Sequence, residues 1–245
     1  MRFCPDVWYT VPMKVFAISD LHLSINNPKP MDIFGERWDN YLEKISESWE
    51  NCVSEDDTVL IAGDISWAMT LESAVPDLKY IGGFKGKKVI LRGNHDYWWK
   101  SISGVRAMLP AGMFAVQNDC VRVDDLLLCG SRGWLSPDVK QFTAEDKKIY
   151  DRELIRTRMS LDAMRAERRD GDRVVAMMHY PPFNSRLERS PFTELFTEYE
   201  VDAVVYGHLH GKDCRVSRET VIDGIKYYLT SCDLVDNRLV EIELQ

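Results

Sequence analysis

Apolar residues fall along this chain in short runs, each ending on a polar cluster. Lys14–Ser19, Thr58–Ala62, Lys88–Leu91, Val174–Met178 and Ala203–Tyr206 are such runs. Short apolar runs bounded by turn formers predict buried strands. Phe114–Gln117 and Leu126–Cys129 predict two more, and Val221–Ile222, Lys226–Leu229 and Leu239–Leu244 predict a β-rich C-terminal part. Between the early runs the period changes. Trp38, Leu42, Ile45, Trp49 and Cys52 step by 4, 3, 4 and 3 residues, which makes one helical stripe over Glu36–Cys52. Trp38 and Trp49 read there as core residues. Thr70–Ile81 is a second helix, which Pro76 must kink or restart. A third covers Tyr97–Leu109. The longest runs from Thr143 to Arg169, opening on the capping-box pattern Thr143-x-x-Asp146 with Gly171 just past its end. Strand, polar cluster and helix recur through the first two thirds, so the expected fold is α/β with mixed sheets.

The polar clusters carry the chemistry. The strand-like runs end on Asp20-Leu21-His22, Gly63-Asp64, Gly93-Asn94-His95-Asp96, His179 and Gly207-His208-Leu209-His210, and these clusters hold all five histidines of the chain. Carboxyl ends of strands form the ligand-binding rim of an open α/β sheet, so all these motifs can converge on one crevice. Imidazole, carboxylate and amide ligands suit divalent manganese, iron or zinc. Asp20 and His22, two apart, point the same way in extended chain. Asp64 offers two oxygens that could bridge two ions, Asn94 an amide oxygen, and His179, His208 and His210 three imidazoles. That is enough for two ions about 3.5–4 Å apart, an arrangement that activates water and clamps phosphorus.

Composition adds bounds. The net charge of −8 lacks the positive footprint of a non-specific nucleic-acid binder, so no nucleic-acid partner is expected. Charge at the centre is another matter: two divalent ions with Asp20 and Asp64 would leave roughly +2, enough to hold a phosphate ester. The six cysteines include no Cys-x-x-Cys pair and read as free, mostly buried thiols of a reducing compartment. Neither a secretory signal nor a bilayer-length apolar run is present, so the chain reads as cytoplasmic with no membrane partner. Met13 stands directly before the first strand. Residues 1–12 therefore read as an N-terminal extension and residues 13–245 as a single domain.

The motif series Asp20-x-His22, Gly63-Asp64, Gly93-Asn94-His95-Asp96, His179 and Gly207-His208-x-His210 resembles the calcineurin-like metallophosphoesterase superfamily. The resemblance runs from Met13 to at least Gly211. It implies two mixed β-sheets packed as a sandwich flanked by α-helices, and a dinuclear centre hydrolysing phosphate esters. It further implies that Asp20, His22 and His210 hold one metal, that Asn94, His179 and His208 hold the other, and that Asp64 bridges. His95 would stand beside the phosphate and protonate the leaving oxygen, which imidazole does near its own pKa. Asp96 would orient His95 or pack against the loop. Serine/threonine phosphatases of the superfamily continue Gly-Asp with Asp-Arg-Gly, whereas Ile65-Ser66-Trp67-Ala68-Met69 follows here. The lipid-A pyrophosphatases carry Arg in place of His95. The expected activity is a small-substrate phosphodiesterase. Its rivals are a phosphomonoesterase or nuclease with the same site, and a non-catalytic scaffold, against which the intact ligand set argues.

Other residues stand near these motifs. Arg132, in Gly130-Ser131-Arg132-Gly133-Trp134, is a candidate substrate-phosphate ligand or else a turn arginine. Trp98 and Trp134 are candidate stacking faces. Trp67 poses the same choice, and Trp99 reads as packing. The arginines between Arg152 and Arg169 alternate with acids and read as a solvated helix face.

Overall fold

The structure of the protein, a computed structural model, describes residues 13–244. In chain order its strands are β1 (Val15–Ile18), β2 (Thr58–Ile61), β3 (Lys87–Leu91), β4 (Met113–Val116), β5 (Val121–Val123), β6 (Leu126–Ser131), β7 (Arg173–Met178), β8 (Ala203–Tyr206), β9 (Glu219–Ile222), β10 (Ile225–Leu229) and β11 (Val240–Glu241). Its helices are α1 (Tyr41–Cys52), α2 (Leu71–Gly82), α3 (Ile102–Met108), α4 (Ala144–Glu167) and α5 (Pro191–Glu198).

The strands form two mixed sheets, ordered β11-β1-β2-β3-β4 and β5-β6-β7-β8-β10-β9. β1 to β4 are mutually parallel, as are β6, β7, β8 and β10, while β11, β5 and β9 add antiparallel edges. The apolar runs lack alternation because both faces of these strands are covered. Val15, Ala17, Leu60, Ala62, Val89 and Leu91 pack against Leu126, Leu128, Val175, Met177, Ala203 and Val205 between the sheets. Their neighbours Phe16, Ile18, Val59, Ile61 and Ile90 pack outward on Ile45, Trp49, Leu78 and Ile81 of α1 and α2. On the other side Leu127, Cys129, Val174, Ala176 and Val204 meet Leu161, Met164, Phe192 and Phe196 of α4 and α5. A helix–sheet–sheet–helix sandwich results. Each large aliphatic side chain buried in it contributes about 1.5–3 kcal/mol of transfer free energy.

Several elements depart from the sequence expectation. The first helix begins at Tyr41, not Glu36: Asn40 takes a left-handed φ of 50°, and 3-10 turns occupy Asp32–Phe34 and Glu36–Trp38. Trp38 is buried outside the helix, and Cys52 of the predicted stripe is exposed. α2 runs through Pro76 without a restart, held at its start by the reciprocal Thr70–Ser73 cap and along its length by buried Ala74, Leu78 and Ile81. The helix expected from Tyr97 begins at Ile102, where the Ser101 side chain accepts from Gly104 N–H at 3.2 Å. Tyr97–Lys100 is loop, its indoles anchored by Trp98 Nε1 donating to Asp96 and Trp99 Nε1 donating to Gln117. Two short elements were not anticipated, β5 and α5. Of the last predicted strand only Val240–Glu241 pairs.

Among the described cysteines all are free, and only Cys129 and Cys232 are buried, fewer than expected. Residues 1–12, read as an extension, lie outside the described residues. Among the described residues no helix is long and apolar enough to cross a membrane.

Candidate metal centre

Asp20, Asp64, His179 and His208 each follow within three residues of the end of β1, β2, β7 or β8, and Asn94 follows β3. Parallel pairing sets these strand ends side by side, so residues far apart in sequence meet. Asp20, His22 and His210 bring ligand atoms within 4.8 Å of one another, and so do Asp20, Asp64 and His179. His210 Nε2 lies 3.2 Å from Asp20 Oδ1. His179 Nε2 lies 2.7 Å from Asn94 Oδ1, 3.3 Å from His208 Nδ1 and 3.4 Å from Asp64 Oδ2. His22 Nε2 stands 3.9 Å from that same Asp64 oxygen. All seven expected ligands therefore gather at one place. Neither ring nitrogen of His22 has a hydrogen-bond partner among the described residues, which suits an imidazole that a cation completes. The donor set is oxygen and imidazole, the chemistry that divalent manganese, iron and zinc accept.

The backbone is shaped around these side chains. Asp20, His22, Asp64 and His208 take left-handed φ angles of 60°, 45°, 50° and 70°. Gly93 and Gly207 permit close approach: a Cβ on Gly93 would stand 2.1 Å from Asp64 Oδ1, and one on Gly207 2.6 Å from Asp20 Oδ2. A Gly93→Ala variant is therefore expected to displace Asp64, lowering metal content and the melting temperature together. Unchanged values of both would contradict the packing described.

Hydrogen bonds fix the candidate ligands from behind. Ala62 O holds His179 Nδ1 at 3.0 Å, and Ser19 Oγ donates to Asp20 Oδ2 at 2.6 Å. Asp233 Oδ1 lies 2.8 Å from His210 Nδ1, and its Oδ2 accepts from Gly211 N–H at 2.9 Å. A carboxylate on the far nitrogen of a ligating histidine sets its tautomer and raises its basicity. Asp233 was not anticipated. Its only sequence signal is a carboxylate soon after the apolar run Ile225–Leu229, outside the motif series. Trp67 stacks on the His22 ring at 4.6 Å and 21°.

A sequence model of the calcineurin-like phosphoesterase family matches residues 13–212. The chain belongs to this family. It is accordingly a metal-dependent hydrolase acting on phosphate esters. The fold is shared with the phosphopantetheinyl hydrolase PptH of Mycobacterium tuberculosis, with a TM-score of 0.56, 16% identity and coverage of 94% of this chain and 95% of that one. TT1561 of Thermus thermophilus is similar in fold at a TM-score of 0.55 and 10% identity, over 95% of this chain and 99% of that one. The gene 66 protein of Mycobacterium phage L5 is 29% identical over 91 residues, 37% of this chain and 40% of that protein's length.

Electrostatics of the phosphoesterase centre follow from burial and pairing. Burial pushes the Asp20 carboxyl up, but His210, His179 and His22 outweigh it and hold the group well below the usual carboxylate range. Burial lowers His22 to about 4 against the pull of Asp20 and Asp64, and burial with His179 lowers His208 to about 3. Both rings are thus neutral near pH 7, as ligation requires. His210 differs: burial lowers it, yet Asp20 and Asp233 raise it to about 10. Its proton stabilises the metal-free fold fully below the ordinary value of 6.5, and that contribution fades as pH rises through about 10. A metal held by His210 would have to displace this proton. Apparent metal affinity is therefore expected to rise between pH 7 and 9, about tenfold per pH unit for one proton released. Calorimetric titration in buffers of different ionisation enthalpy counts the proton, and finding none released would contradict the assignment.

Three other candidates stand apart from the ligands. Asp96 is fully buried, and Oδ1 accepts from Ile65 N–H, Ser66 N–H and Trp98 Nε1 while Oδ2 accepts from Gly93 N–H. It clamps the loops after β2 and β3 together, and none of these bonds goes to the His95 ring. Burial and then the charge of Asp64 push its carboxyl up to about 6. Arg132 lies over the Trp134 ring at 4.6 Å, and its carbonyl accepts from His179 N–H and Tyr180 N–H. Its guanidinium faces Glu153 at 3.7 Å. Trp98 is wholly buried, so it offers no stacking face, and neither does Trp99.

Proposed function

We propose that this chain hydrolyses small phosphodiesters at a two-ion centre. In this reading Asp20, His22 and His210 hold one ion, Asn94, His179 and His208 hold the other, and Asp64 serves both. Manganese, iron or zinc fits the donor set. When bound, the ions would supply Lewis-acid charge to the phosphoryl oxygens and lower the pKa of water. The protein's own groups do the rest. Asp233 and Ala62 O lock the His210 and His179 rings, so ligand geometry is set before substrate arrives. His95 is half-buried beside Trp67 at 4.8 Å, and its N–H donates to Asp64 Oδ1 at 2.8 Å. In this reading the imidazole, whose ring stands 5.6 Å from that of His22, carries a proton to the departing oxygen.

One observation supports a diester above a monoester. A mostly apolar cleft of about 310 Å³ opens beside His208 and is lined by Trp134, Tyr180, Phe183 and Leu209. A cleft lined mainly by apolar and aromatic side chains takes an organic group, and a diester keeps one such group on each side of phosphorus. With manganese, kcat/KM for bis(p-nitrophenyl) phosphate is expected to exceed that for p-nitrophenyl phosphate. A monoester advantage of about a hundredfold would reject the diesterase and establish a phosphatase.

A further inference from the structure

Part of the α4 face expected to be solvated borders a cavity. Arg152 and Arg156 line a cavity of about 270 Å³ at the seam between the sheets, beyond the ends of β3, β4 and β6, together with Arg92, Arg132 and Glu153. Elsewhere on α4 Lys147 pairs with Asp151, Lys148 with Glu145 and Arg158 with Glu198, while Arg165 lies over the Tyr199 ring. In the cavity the buried carboxylate of Glu153 serves two guanidinium groups, Arg156 at 2.6 Å and Arg132 at 3.7 Å. Arg92 and Arg152 have no ion-pair partner among the described residues. Nε of Arg92 and Nε of Arg132 are buried without a hydrogen-bond partner among the described residues. Four guanidinium groups against one carboxylate leave an excess of roughly +3 at the cavity, and the orphaned Nε donors of Arg92 and Arg132 are costly to bury without an acceptor. Planar guanidinium forks match phosphate oxygens two at a time.

The cavity adjoins the metal centre. Arg92 precedes Asn94 by two residues, at most about 7 Å of chain. The Arg132 carbonyl accepts from His179 N–H at 3.1 Å. Ligand pockets for whole small molecules run to about 300–1,000 Å³, so a cavity at or below that range suits a single group. We propose that this cavity is an anion subsite that holds a phosphate or pyrophosphate group of the substrate other than the one hydrolysed. Preferred substrates then carry an additional phosphate. That the anion belongs to a substrate rests on the phosphoesterase reading above; that the cavity binds it does not.

Two measurements test this. Calorimetric titration of the full chain with inorganic pyrophosphate, in chelator so that the metal centre does not report, is expected to show one site. The Arg152→Ala/Arg156→Ala variant should bind at least about tenfold more weakly, since each lost guanidinium fork removes charge-assisted bonds. Arg152→Ala alone, at an exposed position, repeats the test with little risk to folding. No binding by the wild type, or unchanged binding by a folded variant, would overturn the proposal. Turnover supplies the second measurement, comparing thymidine 5′-(p-nitrophenyl phosphate) with and without a 3′-phosphate. A higher kcat/KM for the 3′-phosphorylated compound that shrinks in the variant supports the subsite, and equal values for the pair would overturn it. If neither compound is hydrolysed, the diesterase reading fails while the pyrophosphate titration still decides the cavity.

Discussion

An Asp64→Ala variant is expected to purify with little metal and to lose essentially all phosphoesterase turnover. Asp64 Oδ2 stands within 3.9 Å of both His22 Nε2 and His179 Nε2, so one carboxylate faces both groups of proposed ligands. Removing a residue that merely backs a ligand costs about 10–100-fold in metal affinity. Removing one shared by two ions should cost more. Alanine also deletes the acceptor of His95 N–H and leaves a β-carbon at a φ of 50°, a conformation Asp tolerates better than Ala. Asp64→Asn keeps the turn and an acceptor while removing the charge, so it isolates the charge. Metal analysis beside circular dichroism is the check. A folded Asp64→Ala protein with full metal and full turnover would refute the shared-ligand role.

His95→Ala should behave oppositely, keeping its metal and losing about 10²–10⁴-fold in turnover, the usual worth of acid–base assistance. Metal is spared because the described bond from His95 to the ligand cluster is made by its backbone N–H, which alanine retains. The loss should be larger for an alkyl leaving group than for p-nitrophenolate, which departs readily without a proton. Equal losses for the two would remove His95 from the proton-transfer step, and loss of metal would make it a ligand.

Much of this was readable in the chain because the site is built from strand ends. An apolar run followed by Asp-x-His or Gly-Asn-His-Asp names both the element and its rim position, and the sheets put the rims together. Features that depend on what packs opposite were not readable. Asp233 reaches His210 from outside the motif series. Arg152 and Arg156 carry the same charge alternation as the other arginines of α4, and only the docking of α4 on β6 sets them at the cavity. Trp98 looked available for stacking because it follows Gly93-Asn94-His95-Asp96, yet the buried Asp96 draws its indole inward. α5 was missed although Ser190-Pro191 is a good helix start, with Phe192, Leu195 and Phe196 on one face. Its turn-rich approach through Pro181, Pro182 and Asn184 masked the period.

The left-handed backbone at Asp20, His22, Asp64 and His208 bears on how relatives of this chain should be compared. A side chain held in that region costs of order 1–3 kcal/mol, and Asp, Asn and His bear it better than most. The residues that tolerate these turns are also the residues that bind divalent ions. A descendant that had abandoned catalysis would still be held to much the same letters at these four places by its folding stability alone. His95 is under no such backbone constraint, since its φ is negative. Among homologues, the identity of the residue at position 95 should therefore separate working enzymes from retired folds better than the more conspicuous aspartates and histidines around it.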